Sequence, residues 1–163
     1  MYLTKQEKKD LIVKPAKHGQ GVFARKNFKI GQKIVQIIGQ LITCDEDADV
    51  DEETRSNTFR FDADWYLSPK GRVGNYFNHS CRPNAKVVKK NNKLFILSIE
   101  PILKGEEIVF DYSTIIAADD IWEMNCECGD ENCRGVVKQF KKLPKKVREK
   151  YLSLDMVPKH ILD

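Results

Sequence analysis

A mostly β fold with a few short helices is what this sequence predicts, on three observations. Short stretches rich in β-branched residues recur between glycines, a hairpin signal sits past mid-chain, and the one clear helical pattern is confined to the C-terminal part. Taken in order, "GVFARKNFKIGQKIVQIIGQLIT" (21–43) reads as short strands broken at Gly31 and Gly39, with no sustained helical period, and predicts a meander. Seven acids then follow within residues 45–53 (Asp45, Glu46, Asp47, Asp49, Asp51, Glu52 and Glu53), ending the strand and leading into a loop or short helix. "TFRFDADWYLSP" (58–69) alternates as a strand, and "GEEIVFDY" (105–112) returns to β. Between them "KVVKKNNKLFILSIEPI" (86–102) predicts a hairpin turning at Asn91-Asn92, because asparagine tolerates the left-handed backbone of a tight turn. In "PKKVREKYLSL" (144–154), Pro144 is placed as a first-turn residue. Val147, Tyr151, Leu152 and Leu154 are expected to form one apolar stripe.

The 163 residues make one domain long enough to bury a core. Hydrophobic and charged contents of 41% and 32% are those of a soluble globular protein, and no apolar run reaches the roughly 18 residues a membrane span needs. The opening "MYLTKQEKKDL" has no apolar stretch after its charges, so no secretory signal is expected, and its acids argue against a transit peptide. An intracellular, reducing setting is expected.

Five cysteines, Cys44, Cys81, Cys126, Cys128 and Cys133, suit metal binding better than disulfides in such a setting. The Cys-x-Cys-x4-Cys spacing offers three thiolate corners of a tetrahedral zinc site, and the fourth must come from far away in sequence. Cys81 is the candidate, lying in "NHSCRPN" (78–84), a run that sets Asn, His and Cys side by side and demands a partner elsewhere. Against the alternative of buried or free thiols, "CECGDENC" (126–133) is too polar for a core and carries a glycine where a ligand loop must bend. Cys44, beside an apolar strand and without a cysteine neighbour, is expected to be buried with no metal role.

Four motifs in order, "HGQGVFA" (18–24), "NHSCRPN" (78–84), "GEEIVFDY" (105–112) and "CECGDENCRG" (126–135), resemble the SET-domain protein lysine methyltransferases. The resemblance implies small curved β-sheets, with the Asn-His-Ser-Cys segment and the Asp-Tyr strand meeting in a pseudoknot. It implies a SET unit over residues 11–115, with an insert at about 44–58, after an N-terminal segment 1–10. A post-SET zinc loop over 122–138 and a basic C-terminal helix and tail over 139–163 would follow. No cysteine precedes residue 44, so no cysteine-rich pre-SET region is expected.

Methyl transfer from S-adenosylmethionine to a lysine amine needs alignment and a deprotonated nucleophile, which an apolar, aromatic-lined tunnel favours. By resemblance, Tyr112 orients that amine, and Phe110 leaves room for di- or trimethylation. His18, Gly19, Gln20 and Gly21 form the loop at the methionine end of the cofactor. Asn78 and His79 hold its adenine and ribose side, and Phe59 stands where a cofactor-facing tyrosine is common. Trp122 and Phe140 are candidates to complete the lysine channel, and structural zinc on the four cysteines closes the site. Ile37 replaces a common active-site tyrosine and Asn75 a common arginine, which keeps open a second reading: a peptide-binding module with weak turnover.

The net charge is +4, but residues 134–163 carry nine basic residues against three acids, a net of +6. That segment could touch nucleic acid. The acidic stretch 45–53 falls in the insert that helps wall the peptide groove in the family, where it could attract a basic tail such as a histone's.

Overall fold

The computed structural model describes residues 2–47 and 50–163, with the Asp47 side chain left out; Asp49 of the acidic stretch lies outside the described residues. Helix α1 (Lys5–Asp10) opens with a reciprocal cap, in which the Thr4 hydroxyl accepts from the Glu7 N–H and the Glu7 carboxylate from the Thr4 N–H. Strands β1 (Leu11–Pro15) and β2 (Gln20–Ala24) form an antiparallel hairpin. Its turn holds Gly19 at φ 65°, a left-handed conformation that suits glycine.

Next come β3 (Lys33–Ile37), β4 (Gln40–Thr43), α2 (Cys44–Asp47), α3 (Glu52–Ser56), β5 (Phe59–Asp62) and β6 (Trp65–Ser68). After them run β7 (Asn78–His79), β8 (Ala85–Lys90), β9 (Lys93–Ser98) and β10 (Val109–Phe110), and finally β11 (Met124–Asn125), β12 (Val136–Val137), α4 (Lys145–Ser153) and α5 (Lys159–Leu162). No described helix is long and apolar enough to cross a membrane.

The strands sort into small sheets: β1-β2, β3-β9-β8, β4-β6-β5, β11-β12 and a parallel pair β7-β10. Strands β2, β3 and β4 therefore enter three different sheets, so the expected meander is not there. Periodicity marks a segment as a strand but does not name its partner, and β3 pairs with β9, far along the chain. The stretch expected as a single strand at 58–69 is instead the hairpin β5–β6, turning where the Asp62 carboxylate accepts from the Ala63 N–H. The Asn91-Asn92 turn is as expected, with both residues at positive φ, 49° and 56°. In "GEEIVFDY" only Val109 and Phe110 form a strand; Glu107 makes an isolated bridge to Phe23, and the Ile108 N–H donates to Val22 O.

One large core gathers Leu11, Val22, Phe28, Val35, Ile37, Phe59, Leu94, Ile96, Ile108 and Phe110. A second, smaller cluster packs Ala117, Phe140, Leu143, Tyr151, Met156, Val157 and Ile161. Of the apolar stripe expected on α4, Val147 and Tyr151 turn inward, but Leu152 and Leu154 are 48% and 49% exposed. At 3.6 residues per turn, Leu152 is rotated about 100° from Tyr151, and Leu154 is already the C-cap. Pro144 is the N-cap rather than a first-turn residue. Part of the basic charge here is matched within the chain, Lys142 pairing with Glu123 and Lys145 with Glu149.

Asp111, its side chain fully buried, ties these parts together. Arg134 grips both its oxygens at 2.8 Å, the Tyr151 hydroxyl donates to Oδ2 at 2.7 Å, and the Ser113 N–H donates to Oδ1 at 3.0 Å. Removing one partner of a buried ion pair strands the other charge. Arg134→Met is expected to lower unfolding stability by about 3–5 kcal/mol. Tyr151→Phe, which removes one bond to a charged group, should cost about 1.5–3 kcal/mol. Urea denaturation of both variants checks the order.

Candidate functional site: a cleft and a channel joined at Tyr112

Strands β7 and β10 run side by side, Asn78 opposite Val109 and His79 opposite Phe110. Asn84, the last residue of "NHSCRPN", extends the pairing with its side chain: Oδ1 accepts from the Val109 N–H at 2.9 Å, and Nδ2 donates to Glu107 O at 2.8 Å. The Ser80 N–H reaches Phe110 O at 3.1 Å. The two expected segments thus meet, and they deliver Tyr112 beside His79.

The Tyr112 N–H donates to His79 Nδ1 at 3.1 Å, which places the imidazole proton on Nε2, 3.4 Å from Cys81 Sγ. Burial lowers the His79 pKa to about 4, so the ring is neutral and serves to orient its neighbours. The Tyr112 hydroxyl donates to Phe77 O at 2.5 Å. Burial, reinforced by the Glu107 carboxylate, pushes the Tyr112 pKa upward, so it stands as a neutral phenol. Its ring is flanked by Phe110 (centroids 4.9 Å apart), His79 (5.4 Å) and Trp122 (6.3 Å).

Two concavities open from Tyr112. The first is a channel walled by Phe59, Phe77, Phe110, Tyr112, Ile115, Ile116 and Trp122, with Phe59 stacked on Phe110 at 5.7 Å. Its rim is polar. Buried Arg60 pairs with Asp120 at 2.7 Å, and the Tyr66 hydroxyl donates to the same carboxylate. The second is a cleft lined by His18, Asn78, His79, Tyr112, Met124, Asn125, Cys126, Glu127 and Cys128. The zinc-loop candidate forms one side of this cleft and is tied to the β1–β2 turn, since Glu127 O accepts from Lys17 Nζ at 3.0 Å and lies 2.8 Å from His18 Nε2.

The four expected thiols, Cys81, Cys126, Cys128 and Cys133, converge with all sulfurs within 4.8 Å of one another. Cys126 Sγ lies 3.8 Å from Cys81 Sγ and 3.5 Å from Cys133 Sγ. A tetrahedron with Zn–S bonds of about 2.3 Å has edges of about 3.8 Å, so the donors fit zinc in number, chemistry and spacing. Cys44 is outside this group and half-buried rather than buried, because it opens α2 at the edge of a sheet, its thiol near Ala63 O.

His18, Asn78, His79 and Tyr112 are brought together on the cleft. Gly19, Gln20 and Gly21 do not line it; Gln20 offers its carbonyl to the Asn78 amide at 3.0 Å. Two assignments change. Phe59 faces the channel rather than the cleft, since β5 directs its ring onto Phe110. Phe140 does not reach the channel: it begins a short 3-10 turn (Phe140–Lys142) and is buried in the C-terminal cluster with Leu143 and Tyr151. Ile37 is core, packed close to Gly74. Glu107, Glu127, Arg60, Tyr66 and Asp120 are not singled out by the sequence; the one signal is Arg60, a charge between two aromatic residues of β5.

These features define a class: a small-sheet β domain in which a cleft and an aromatic channel share one tyrosine, beside four converging thiols that could hold a metal. The chain belongs to the SET-domain family, whose model matches residues 19–113, more than half of its length. It is 33% identical over 137 residues to the Cryptococcus neoformans "Histone-lysine N-methyltransferase, H3 lysine-4 specific", an alignment covering 76% of this chain and 9% of that protein. Over 130 residues it is 35% identical to the Caenorhabditis elegans "Histone-lysine N-methyltransferase set-2", covering 72% of this chain and 8% of that one. It is 32% identical over 145 residues to the H3 lysine-4-specific enzyme of Schizosaccharomyces pombe, covering 80% and 15%. The chain thus spans well under a fifth of the length of these relatives.

Proposed function

We propose that the chain is a protein lysine N-methyltransferase that uses S-adenosylmethionine and adds up to two or three methyl groups to a protein lysine, a histone tail among the candidate substrates. One observation carries this reading: among the described residues, Tyr112 alone lines both the cleft and the channel. A donor in one and an amine in the other would meet at its hydroxyl. Bound in the cleft, S-adenosylmethionine supplies an electrophilic methyl group on a sulfonium. The remaining work falls to the chain's own groups. Phe59, Phe77 and Phe110 desolvate the lysine, and an ammonium with a reference pKa of about 10.4 loses its proton more readily in such a wall. Tyr112, fixed through its hydroxyl to Phe77 O, sets where the amine stops, and this alignment supplies much of the rate. Trp122 and the zinc loop, residues 122–138, close the site beside the SET unit of residues 11–115.

Phe110 is 2% exposed and has no hydroxyl to restrain a methylated amine or hold a water. Phe110→Tyr is expected to shift the product from di- or trimethyl-lysine to monomethyl-lysine, read by mass spectrometry. The reading itself is tested with labelled S-adenosylmethionine, core histones and host-cell proteins. Label on lysine Nε supports it. Zinc-loaded protein that binds the cofactor but labels nothing supports the peptide-binding alternative.

A further inference from the structure

Gly21 lies in β2 and, unlike Gly19, is not in the left-handed region. What its missing side chain provides is room. A Cβ there would sit 2.3 Å from Glu107 Oε1 and 2.9 Å from the Ala16 Cβ. The oxygen it would strike is already engaged: Glu107 Oε1 accepts from Asn78 Nδ2 at 2.7 Å. The other hydrogen of that amide goes to Gln20 O at 3.0 Å. Both acceptors lack a proton, so a flipped Asn78 carboxamide would set its oxygen against a carboxylate and a carbonyl. The orientation is therefore dictated, and Asn78 Oδ1, with no partner among the described residues, is the side chain's polar atom left for a ligand in the cleft that Asn78 lines.

We propose that Glu107 is a positioning residue for the cofactor: entering the space under Gly21, it locks the Asn78 carboxamide so that Oδ1 is presented as an acceptor to an N–H or ammonium group of the bound cofactor. This rests on the reading of the cleft as the S-adenosylmethionine site. It assigns Gly21 the role of admitting the carboxylate that orients a ligand-binding residue. A glutamine at position 107 retains an acceptor oxygen and preserves the lock, whereas alanine removes it.

The test is calorimetric binding of S-adenosylmethionine to the zinc-loaded chain, without turnover, for Glu107→Ala, Glu107→Gln, Gly21→Ala, Asn78→Ala and the double variant Asn78→Ala/Glu107→Ala. Glu107→Ala and Gly21→Ala are each expected to raise Kd about tenfold, the scale of one lost orienting hydrogen bond, and Glu107→Gln less than about threefold. Because Glu107 acts through Asn78, the double variant should bind no more weakly than Asn78→Ala alone. Glu107→Ala binding as tightly as the unmodified chain overturns the proposal, as does additivity in the double variant or Glu107→Gln as weak as Glu107→Ala. Should Gly21→Ala fail to fold, the position-107 series decides alone. Absence of binding by the unmodified chain would contradict the proposed function itself and Glu107's part with it, a result distinct from tight binding that Glu107→Ala leaves unchanged.

Discussion

Replacing Tyr112 by phenylalanine is expected to lower the methyl-transfer rate at least about 100-fold while leaving zinc content and cofactor affinity nearly unchanged. The ring contacts survive the substitution: Phe110, His79 and Trp122 pack against the ring, and the Tyr112 N–H to His79 is backbone. What goes is the hydroxyl of the residue shared by cleft and channel, held by Phe77 O at 2.5 Å. Without it the amine has no fixed stop, and misplacement of about 1 Å is enough for a 100-fold loss. The freed Phe77 carbonyl adds a stability cost of about 1–3 kcal/mol. Single-turnover kinetics with calorimetry separates the two effects. A variant rate within threefold of the native one would remove Tyr112 from the reaction.

Withdrawing zinc is expected to have the second largest effect, a loss of at least about 100-fold in cofactor affinity with most of the fold intact. Apart from the Arg134–Asp111 pair and the contacts of Glu127 O with Lys17 and His18, residues 122–138 have little regular structure to hold them. Their sheet, β11–β12, pairs only two residues on each side, and their core consists of Ile116, Cys126 and Val137. Binding four thiolates contributes folding energy directly in so small a unit. The same segment supplies Met124, Asn125, Cys126, Glu127 and Cys128 to the cleft, so its disorder removes a wall. The large core contains no residue of this segment and should survive. A chelator titration followed by limited proteolysis and cofactor binding checks this, and unchanged affinity after complete metal removal would contradict it.

How much of this was legible in the sequence depended on whether the signal was local. The Asn91-Asn92 turn needs only its own backbone, and the three clustered cysteines do converge with Cys81 as their spacing suggests. Tyr112, Asn78 and His79 came from ordered motifs and did converge. Pairing was not legible, because β2, β3 and β4 have unremarkable alternation and choose partners distant in sequence. Side-chain direction was no clearer: Phe59 and Phe140 are aromatic residues near the right motifs, and only the rotation of β5 and the packing of α4 decide that one faces the channel and the other does not. Arg60 and Glu107 meet groups far from them in sequence, Asp120 and Asn78, so their neighbours in the chain do not name those partners.

The central claim is that two sites meet at Tyr112, and the most direct measurement is a crystal structure of the zinc-loaded chain with S-adenosylhomocysteine, the demethylated cofactor. The account predicts the nucleoside in the cleft bounded by His18, Asn78, His79 and Glu127, its sulfur directed toward Tyr112, with the Phe59–Phe110 channel left free for lysine. A ligand seated in the aromatic channel, or lying away from Tyr112, would contradict it.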